Sequence, residues 1–439
     1  MLECTEQNFG VFNVKSTNPT LADDITCLSS SALGLQRLLD NAYTYSCLWR
    51  FSFNAQKSSV VVFSKTNHIV QHSWTLGNSC ISVNDEYKHL GIIQQTKFSS
   101  TERTILSCNK GRKSYFAIRN DLSYNTNPIT LVSLYRKVVL PSLLYGCEIW
   151  NNLKTSDLQQ LNRFQHFVLK DIQNFRIGTR SDMCESMLGV YTIEAEIDKR
   201  KLMFFGKLCN LSLDALSKQI FLYRLNDFIA NEGKQISGFI RDIWQILLKY
   251  NLVNYIQSFV NETKFPSKFT WKNIIRQSIH NYQFESWLNR TETDRDFVMF
   301  RGLHHSITPA RIYKFDFSFD DIKFIKFVAK LWTVVPLESP KTCTLCNKVY
   351  NDPFKHATLW CNDTEQIRDT FFNCIVNEFD VHLYQELTHM CDHDLYRTLL
   401  GGLPTNALPD QHDQKAFLCL CARFLCKASA LFSRATTQT

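Results

Sequence analysis

Apolar and polar positions alternate tightly near the start of the chain. Pro19 to Leu28 runs apolar, acidic, apolar and reads as a tight hairpin with Asp23 and Asp24 near its turn. Leu35, Leu38, Leu39, Ala42 and Tyr43 then recur at helical spacing behind the candidate caps Ser29 to Ser31, which predicts an amphipathic helix over 31–49. A buried strand, Val60 to Phe63, follows, and then a hairpin from Trp74 to Ile93 that turns at Gly77 and Asn78 or at Asn84 and Asp85. From about Lys97 the period changes to that of helices, expected near 101–123, 129–139, 155–175 and 193–214. A further helical block runs to about residue 310, with core faces such as Ile243, Trp244, Leu247, Leu248 and Phe269, Trp271, Ile274, Ile275. Pro336 to Pro340 marks a linker into a terminal module with helices near 364–380 and 414–432. The expected class is α+β, with boundaries at 1–96, 97–215, 216–335 and 336–439.

Composition narrows the picture. The 439 residues are 44% hydrophobic and include 33 Phe, 16 Tyr and 8 Trp, enough apolar surface to exclude disorder throughout. Only 14 Gly and 10 Pro exclude collagen-like classes. The longest apolar stretch, Ala416 to Phe432, is interrupted by Arg423 and Lys427 and falls short of the ~20 residues that cross a bilayer, so it reads as a core helix and no membrane span is expected. Met1 to Gly10 carries acids and no apolar run, unlike a secretory signal. The 16 cysteines therefore suit a reducing, intracellular setting, nuclear or cytoplasmic. Net charge is +8, and residues 97–207 hold most of the excess, with 17 Lys and Arg against 10 Asp and Glu. Such a basic helical segment suits a phosphate backbone, and equally an ordinary solvated surface.

Two constellations carry chemistry. Adjacent carboxylates in the apolar run Thr20-Leu21-Ala22-Asp23-Asp24-Ile25 repel one another unless a cation intervenes, and Mg²⁺ with oxygen-only ligands is the natural candidate. By itself an Asp-Asp turn reads more readily as a solvated acidic turn or a helix cap. The second constellation is Cys343-x2-Cys346-x9-His356-x4-Cys361, four ligands of the types and spacing that hold a structural Zn²⁺. Phe354, Trp360, Lys348 and Lys355 around it suit either stacking on bases or packing around a metal.

The order of segments after the paired acids is more specific than the acids themselves. The helix over 31–49, then Asn54 and Lys57 in FSFNAQKSSVVVF, then YKHLGI at Tyr87 to Ile92, resembles the second half of the palm of a reverse transcriptase from a non-LTR retrotransposon of LINE type. LYRKVVLPSLLYGCEIW, Leu134 to Trp150, and IDKRKLMFFGKL, Ile197 to Leu208, resemble the thumb region of the same elements, so the likeness covers roughly residues 19 to 210. Cys-Cys-His-Cys modules also occur near the C-terminus of such proteins.

The resemblance implies that Asp23 is the principal Mg²⁺ ligand and Asp24 its weaker neighbour. It also implies that Lys57 lies near the incoming triphosphate and that Tyr87, Leu90 and Gly91 sit under the primer end. The partners implied are an RNA template with a DNA primer, or an RNA–DNA hybrid. Leu21 departs from the family, which carries an aromatic residue there. The family's further catalytic aspartate comes from a strand before the paired acids, and Glu3 and Glu6 do not suit that place. The expectation is therefore a polymerase fragment, inactive alone, associating with the missing upstream portion. Its runner-up is a non-catalytic, zinc-containing nucleic-acid-binding protein, and a decaying coding sequence comes third. A nuclease built on Asp410, Asp413 and Lys415, and metal sites at His304, His305 or His389, Cys391 and His393, are disfavoured for want of ligand clustering.

Overall fold

A computed structural model describes residues 10–11, 14–15, 20–21, 23–64, 72–96, 99–151, 153–231, 238–335, 337, 339–402, 408 and 410–436. Glu3, Glu6, Lys97, and Pro336 of the linker lie outside the described residues. The fold is mixed α+β, mostly helical with small sheets. The chain divides into two compact units. One takes Met1–Arg103, Gly146–Lys154 and Asp198–Ile275, and the other Thr104–Tyr145, Thr155–Ile197 and Arg276–Thr439.

All of the N-terminal strands lie in the first unit. Antiparallel pairs form between β1 (Gly10–Val11) and β2 (Val14–Lys15), and between β3 (Thr20–Leu21) and β4 (Asp24–Ile25). Helix α1 (Ala32–Leu48) starts at Ser31, whose side chain accepts from Gly34 N at 3.1 Å, as capping chemistry requires. Its buried positions Leu38 and Ala42 belong to the expected stripe. It ends in a Schellman turn in which Phe51 N donates to Ser46 O at 3.0 Å and Arg50 N to Cys47 O at 3.3 Å.

Strands β5 (Ser59–Val60), β6 (Trp74–Leu76) and β7 (Ser79–Val83) form a sheet in the order β5-β7-β6, parallel between β5 and β7 and antiparallel between β6 and β7. Val60, Trp74, Leu76 and Ile81 make its core, with Ala32, Leu35 and Leu39 of α1 packed on it. Gln36 lies along the outer edge of β6. Its amide donates to Thr75 O at 2.9 Å and accepts from Thr75 N at 3.0 Å. The strand expected over Val60 to Phe63 is shorter, and Phe63 is exposed. The single hairpin expected over Trp74 to Ile93 is two. Gly77 and Asn78 turn the first, and a second pair, β8 (Glu86–His89) with β9 (Ile92–Gln95), turns at Leu90 and Gly91.

Helices follow: α2 (Ser100–Asp121), α3 (Pro128–Leu134), α4 (Leu140–Leu143), α5 (Thr155–Gln173), α6 (Ser181–Leu188), α7 (Ile193–Asn210), α8 (Leu216–Ala230), α9 (Phe239–Lys249), α10 (Val253–Glu262), α11 (Lys268–Thr291), α12 (Val298–Leu303) and α13 (Ile322–Trp332). Between α3 and α4 the turn widens into a π-helix over Tyr135–Val139. Pro141 accounts for it, because a proline has no N–H for the carbonyl four residues back and its ring crowds that carbonyl. Phe205 of α7 packs with Phe221, Phe265 and Trp271 in the first unit, where the Trp271 indole donates to Leu202 O at 2.8 Å. In the second unit two buried glutamines of α5 serve as polar connectors. Gln165 accepts from Tyr135 Oη at 2.9 Å and donates to Tyr191 O at 2.9 Å, and Gln173 donates to Leu169 O and Cys184 O.

The C-terminal stretch of the second unit carries the short pair β10 (Lys341–Thr342) and β11 (Val349–Tyr350), then α14 (Pro353–Leu359), α15 (Glu365–Glu378), α16 (Val381–His389), α17 (Asp392–Leu399) and α18 (Gln411–Thr436). Among the described residues Gln411–Ser433 is the one helix long and apolar enough to cross a membrane. Phe417, Cys421, Leu425 and Ala428 on it are buried, and it packs against α13, α14, α15 and α17.

Candidate nucleic-acid and metal sites

Asp23 occupies the two-residue turn of the β3–β4 hairpin and Asp24 opens β4; both side chains are exposed. The chain leaving this hairpin meets the second one, with Thr26 Oγ1 3.5 Å from His89 Nε2, and Tyr87 stacks on His89 along β8 with ring centroids 6.1 Å apart. At the tip Leu90 and Gly91 both take left-handed backbone, φ 49° and 81°, which a tight two-residue hairpin of this kind requires. Leucine is an unusual residue there, and its side chain is 40% exposed. Lys57 donates its backbone N–H to the Asn54 carbonyl and side-chain oxygens at 3.1 Å each, so the Asn-x-x-Lys segment is an Asx-stabilised turn with the lysine side chain exposed. Asp23 thus lies on one hairpin and Tyr87, Leu90 and Gly91 on another, and the residue that follows the first, Thr26, meets the second. Among the described residues no third His, Cys, Asp or Glu joins the two carboxylates in a metal-holding group.

Part of the basic excess of 97–207 is engaged inside the protein. Arg119 pairs with Asp171 at 2.8 Å, beside a hydrogen bond from Tyr115 to the same oxygen, and stacks on Tyr124. Lys201 pairs with Asp242 at 2.6 Å and Arg180 with Asp294 and Asp296. Arg136 and Lys170 donate to the carbonyls of Gly189 and Ile177. Other cations of the segment face solvent, Lys137, Arg176 and Lys207 among them, and one group lies with aromatic rings: Lys110, Arg112, Lys113 and Phe116 of α2 are exposed, as are Arg163 and Phe167 of α5. The Phe116 and Phe167 rings, 45% and 46% exposed, lie 6.1 Å apart and join the two helix faces into one cationic and aromatic strip.

The four zinc-type ligands converge. Cys343, Cys346, His356 and Cys361 place one ligand atom each within 4.8 Å of one another, and Cys346 Sγ lies 3.4 Å from His356 Nε2. A tetrahedron with Zn–S of 2.3 Å and Zn–N near 2.0 Å would put these two atoms about 3.5 Å apart, so the donor set fits a Zn²⁺. The local fold explains the convergence. Asn347 N donates to Cys343 O at 2.9 Å and Cys343 N to Lys348 O at 2.7 Å, a turn that places Asn347 at φ 58°, where asparagine is tolerated. Asp352 caps α14 by accepting from Lys355 N at 2.8 Å, with Pro353 in its first turn, and the helix delivers His356. Cys361 follows the helix, its carbonyl held by Thr364 at 2.9 Å and by Arg368.

Electrostatics separate the ligands. Burial pushes the Cys361 thiol up to about 12. Burial opposes ionisation of Cys346 too, but the Lys348 backbone N–H and hydrogen bonds from Cys343 and Cys361 outweigh it and hold this thiol below its ordinary value. Burial, with the charges of Lys348 and Arg368, lowers His356 and favours the neutral, ligating imidazole. One neighbour escaped the sequence reading. Tyr350 stacks face to face on His356, with centroids 3.5 Å apart and planes 12° from parallel. Its only signal in the sequence is a tyrosine six residues before a candidate histidine ligand.

The disfavoured candidates have structural roles. Asp410 caps α18 through His412 N, His304 Nε2 contacts Ser186 O at 3.1 Å, His389 binds its own helix at Gln385 O, and Cys391 donates to Asp394.

No protein-family model matches the chain. Among curated proteins it is similar to an RNA-directed DNA polymerase from the mobile element jockey of Drosophila funebris, 28% identical over 178 residues, 38% of this chain and 19% of the relative. It is also similar to a probable RNA-directed DNA polymerase from transposon X-element of Drosophila melanogaster, 24% identical over 210 residues, 44% of this chain and 22% of the relative. The jockey polymerase of Drosophila melanogaster is 26% identical over 162 residues, 35% of this chain and 18% of the relative. The likeness to non-LTR retrotransposon reverse transcriptases expected from the motif order is thus found by comparison as well. The chain spans about a fifth of the length of the curated relatives it matches.

Proposed function

We propose that the chain is a portion of the RNA-directed DNA polymerase of a non-LTR retrotransposon. Residues 1–96 would be the back half of the palm, 97–215 a basic thumb-like region, 216–335 a helical connection and 336–439 a zinc-supported module, in a protein that acts inside the cell. The observation that carries this is the contact of Thr26, the residue after the acidic hairpin, with His89 of the Tyr87–Ile92 hairpin, which brings the second element close to where the first one ends. Asp23 and Asp24 would hold Mg²⁺, which neutralises charge on the phosphates during template-directed nucleotide transfer. Lys57 would meet the triphosphate, and Tyr87, Leu90 and Gly91 the primer end. The strip of Lys113, Phe116, Arg163 and Phe167 suits the backbone of an RNA template paired with a DNA primer.

Two carboxylates without a third ligand among the described residues bind Mg²⁺ weakly, so this chain alone is expected not to extend a primer. That the Cys3His set is complete while the acidic site lacks a third ligand among the described residues favours a second function, non-catalytic binding of nucleic acid by a zinc-containing protein.

Fluorescence anisotropy with an RNA–DNA hybrid across a salt series tests the binding that both functions share. Affinity should fall linearly in log–log form, Lys113→Glu should reduce the slope by about one, and Asp23→Asn should leave binding intact. Absence of binding at low salt would overturn both. Primer extension by the purified chain, lost on Asp23→Asn, would overturn only its inactivity. The full chain should take up one equivalent of zinc, and Cys346→Ser should abolish uptake.

A further inference from the structure

We infer that Tyr350 is a positioning residue for one of the four metal ligands, fixing the plane of the His356 imidazole with its ring. This rests on the zinc reading of the Cys3His set. Two features of the site carry it.

The first is the stack. His356 sits on α14, three residues beyond its Pro353 start, and an imidazole on a short helix turns freely about its side-chain bonds unless something packs on it. The Tyr350 ring covers one face at 3.5 Å, nearly parallel, while Nε2 points at Cys346 Sγ. Metal binding withdraws electron density from an imidazole, so an electron-rich phenol against its face attracts it more strongly once the ion is in place. The contact therefore favours the bound state as well as pre-orienting the free one.

The second is exposure. Cys343 and Cys361 are buried, whereas Cys346 and His356 are only partly so, and His356 is the ligand that the Tyr350 ring covers. A ring laid across the open side restricts water at the ligands most able to exchange with it. The β10–β11 register holds the ring there by pairing Tyr350 with Lys341. Groups one shell removed from a metal typically change its affinity by about 10- to 100-fold.

The test uses the full chain with Zn²⁺ in competition with a chromophoric chelator, and with Co²⁺ as a spectroscopic substitute. Tyr350→Phe keeps the stack and should weaken zinc binding less than tenfold. Tyr350→Ala and Tyr350→Leu remove it, and each should weaken zinc binding by about 10- to 100-fold and shift the cobalt absorption bands while the intensity typical of tetrahedral Co²⁺ is kept. Wild-type zinc affinity and an unshifted cobalt spectrum in Tyr350→Leu would overturn the assignment even if the alanine variant misfolds. If those are seen while Cys346→Ser still loses zinc, the metal site stands and only the role of Tyr350 falls. A wild-type chain that takes up no zinc would remove both.

Discussion

Gly206, in the FFGK run of α7, lies where the Trp271 indole crosses the helix, and a Cβ added there would overlap Cδ1 and Nε1 of that ring. Alanine at an ordinary helical position gains about 1 kcal/mol over glycine. Here the gain is opposed. Trp271 is buried at 1% exposure and hemmed by Phe205, Phe265 and Tyr255, so the ring cannot withdraw into space. Overpacking of this kind costs about 1–3 kcal/mol, and moving the indole also strains or breaks its bond to Leu202 O, worth roughly 1 kcal/mol more. Gly206→Ala should therefore destabilise the first unit by about 1–3 kcal/mol.

Urea titration followed by tryptophan fluorescence reads this as a midpoint lowered by roughly 0.5–1.5 M, taking m at about 2 kcal/mol/M. The midpoint is preferable to a single extrapolated free energy, since two compact units need not unfold together. Gly178→Ala, with nothing within 4 Å of its added Cβ, is the control. Combining Gly206→Ala with Trp271→Leu should show coupling of at least ~1 kcal/mol, the second change being less harmful after the first. A Gly206→Ala chain as stable as wild type, or no coupling, would refute the close-approach account of this glycine.

Three further outcomes follow from other contacts. Burial lowers His304 to about 4 from an ordinary 6.5, so its neutral form contributes stability that is complete above pH 6.5 and lost as pH falls toward 4, about 3 kcal/mol in all; His304→Gln should flatten that limb of an acid-unfolding curve. Asp171→Asn leaves the Arg119 guanidinium, 7% exposed, without its carboxylate and should lower the thermal midpoint of the second unit, at a cost of about 3 kcal/mol, the low end for buried pairs because Asp171 is itself partly open to water. Leu90→Asn, at a left-handed position, should stabilise the β8–β9 hairpin by about 1 kcal/mol, seen as slower amide exchange over Glu86–Gln95.

Features encoded by local spacing were legible in the sequence. The Asp23–Asp24 turn, the Leu38 and Ala42 face of α1 and the four zinc-type ligands each depend on residues a few positions apart, and folding needs little more than standard turns and caps to bring them together. Elements that depend on distant partners were not. The short helices α6, α16 and α17 have fewer than three turns each, too little periodicity to distinguish from loop, and tertiary packing decides them. The Leu90–Gly91 turn stayed hidden because leucine is not a turn residue and accepts φ 49° only under the constraint of the hairpin. Charge counting overstated the exposed basic surface for the same reason. Arg119 finds Asp171, and Lys201 finds Asp242, across separations of 52 and 41 residues.

The amide of Gln36 has a consequence for assembly. By occupying both backbone groups of Thr75 it does the work of one more strand, so the three-stranded sheet is stoppered on the β6 flank by a side chain from its own helix. Growth of this sheet, whether by a neighbouring segment in a longer polypeptide or by another molecule, is thereby directed to the opposite flank at β5, and truncating Gln36 would open a second front for unwanted lateral association.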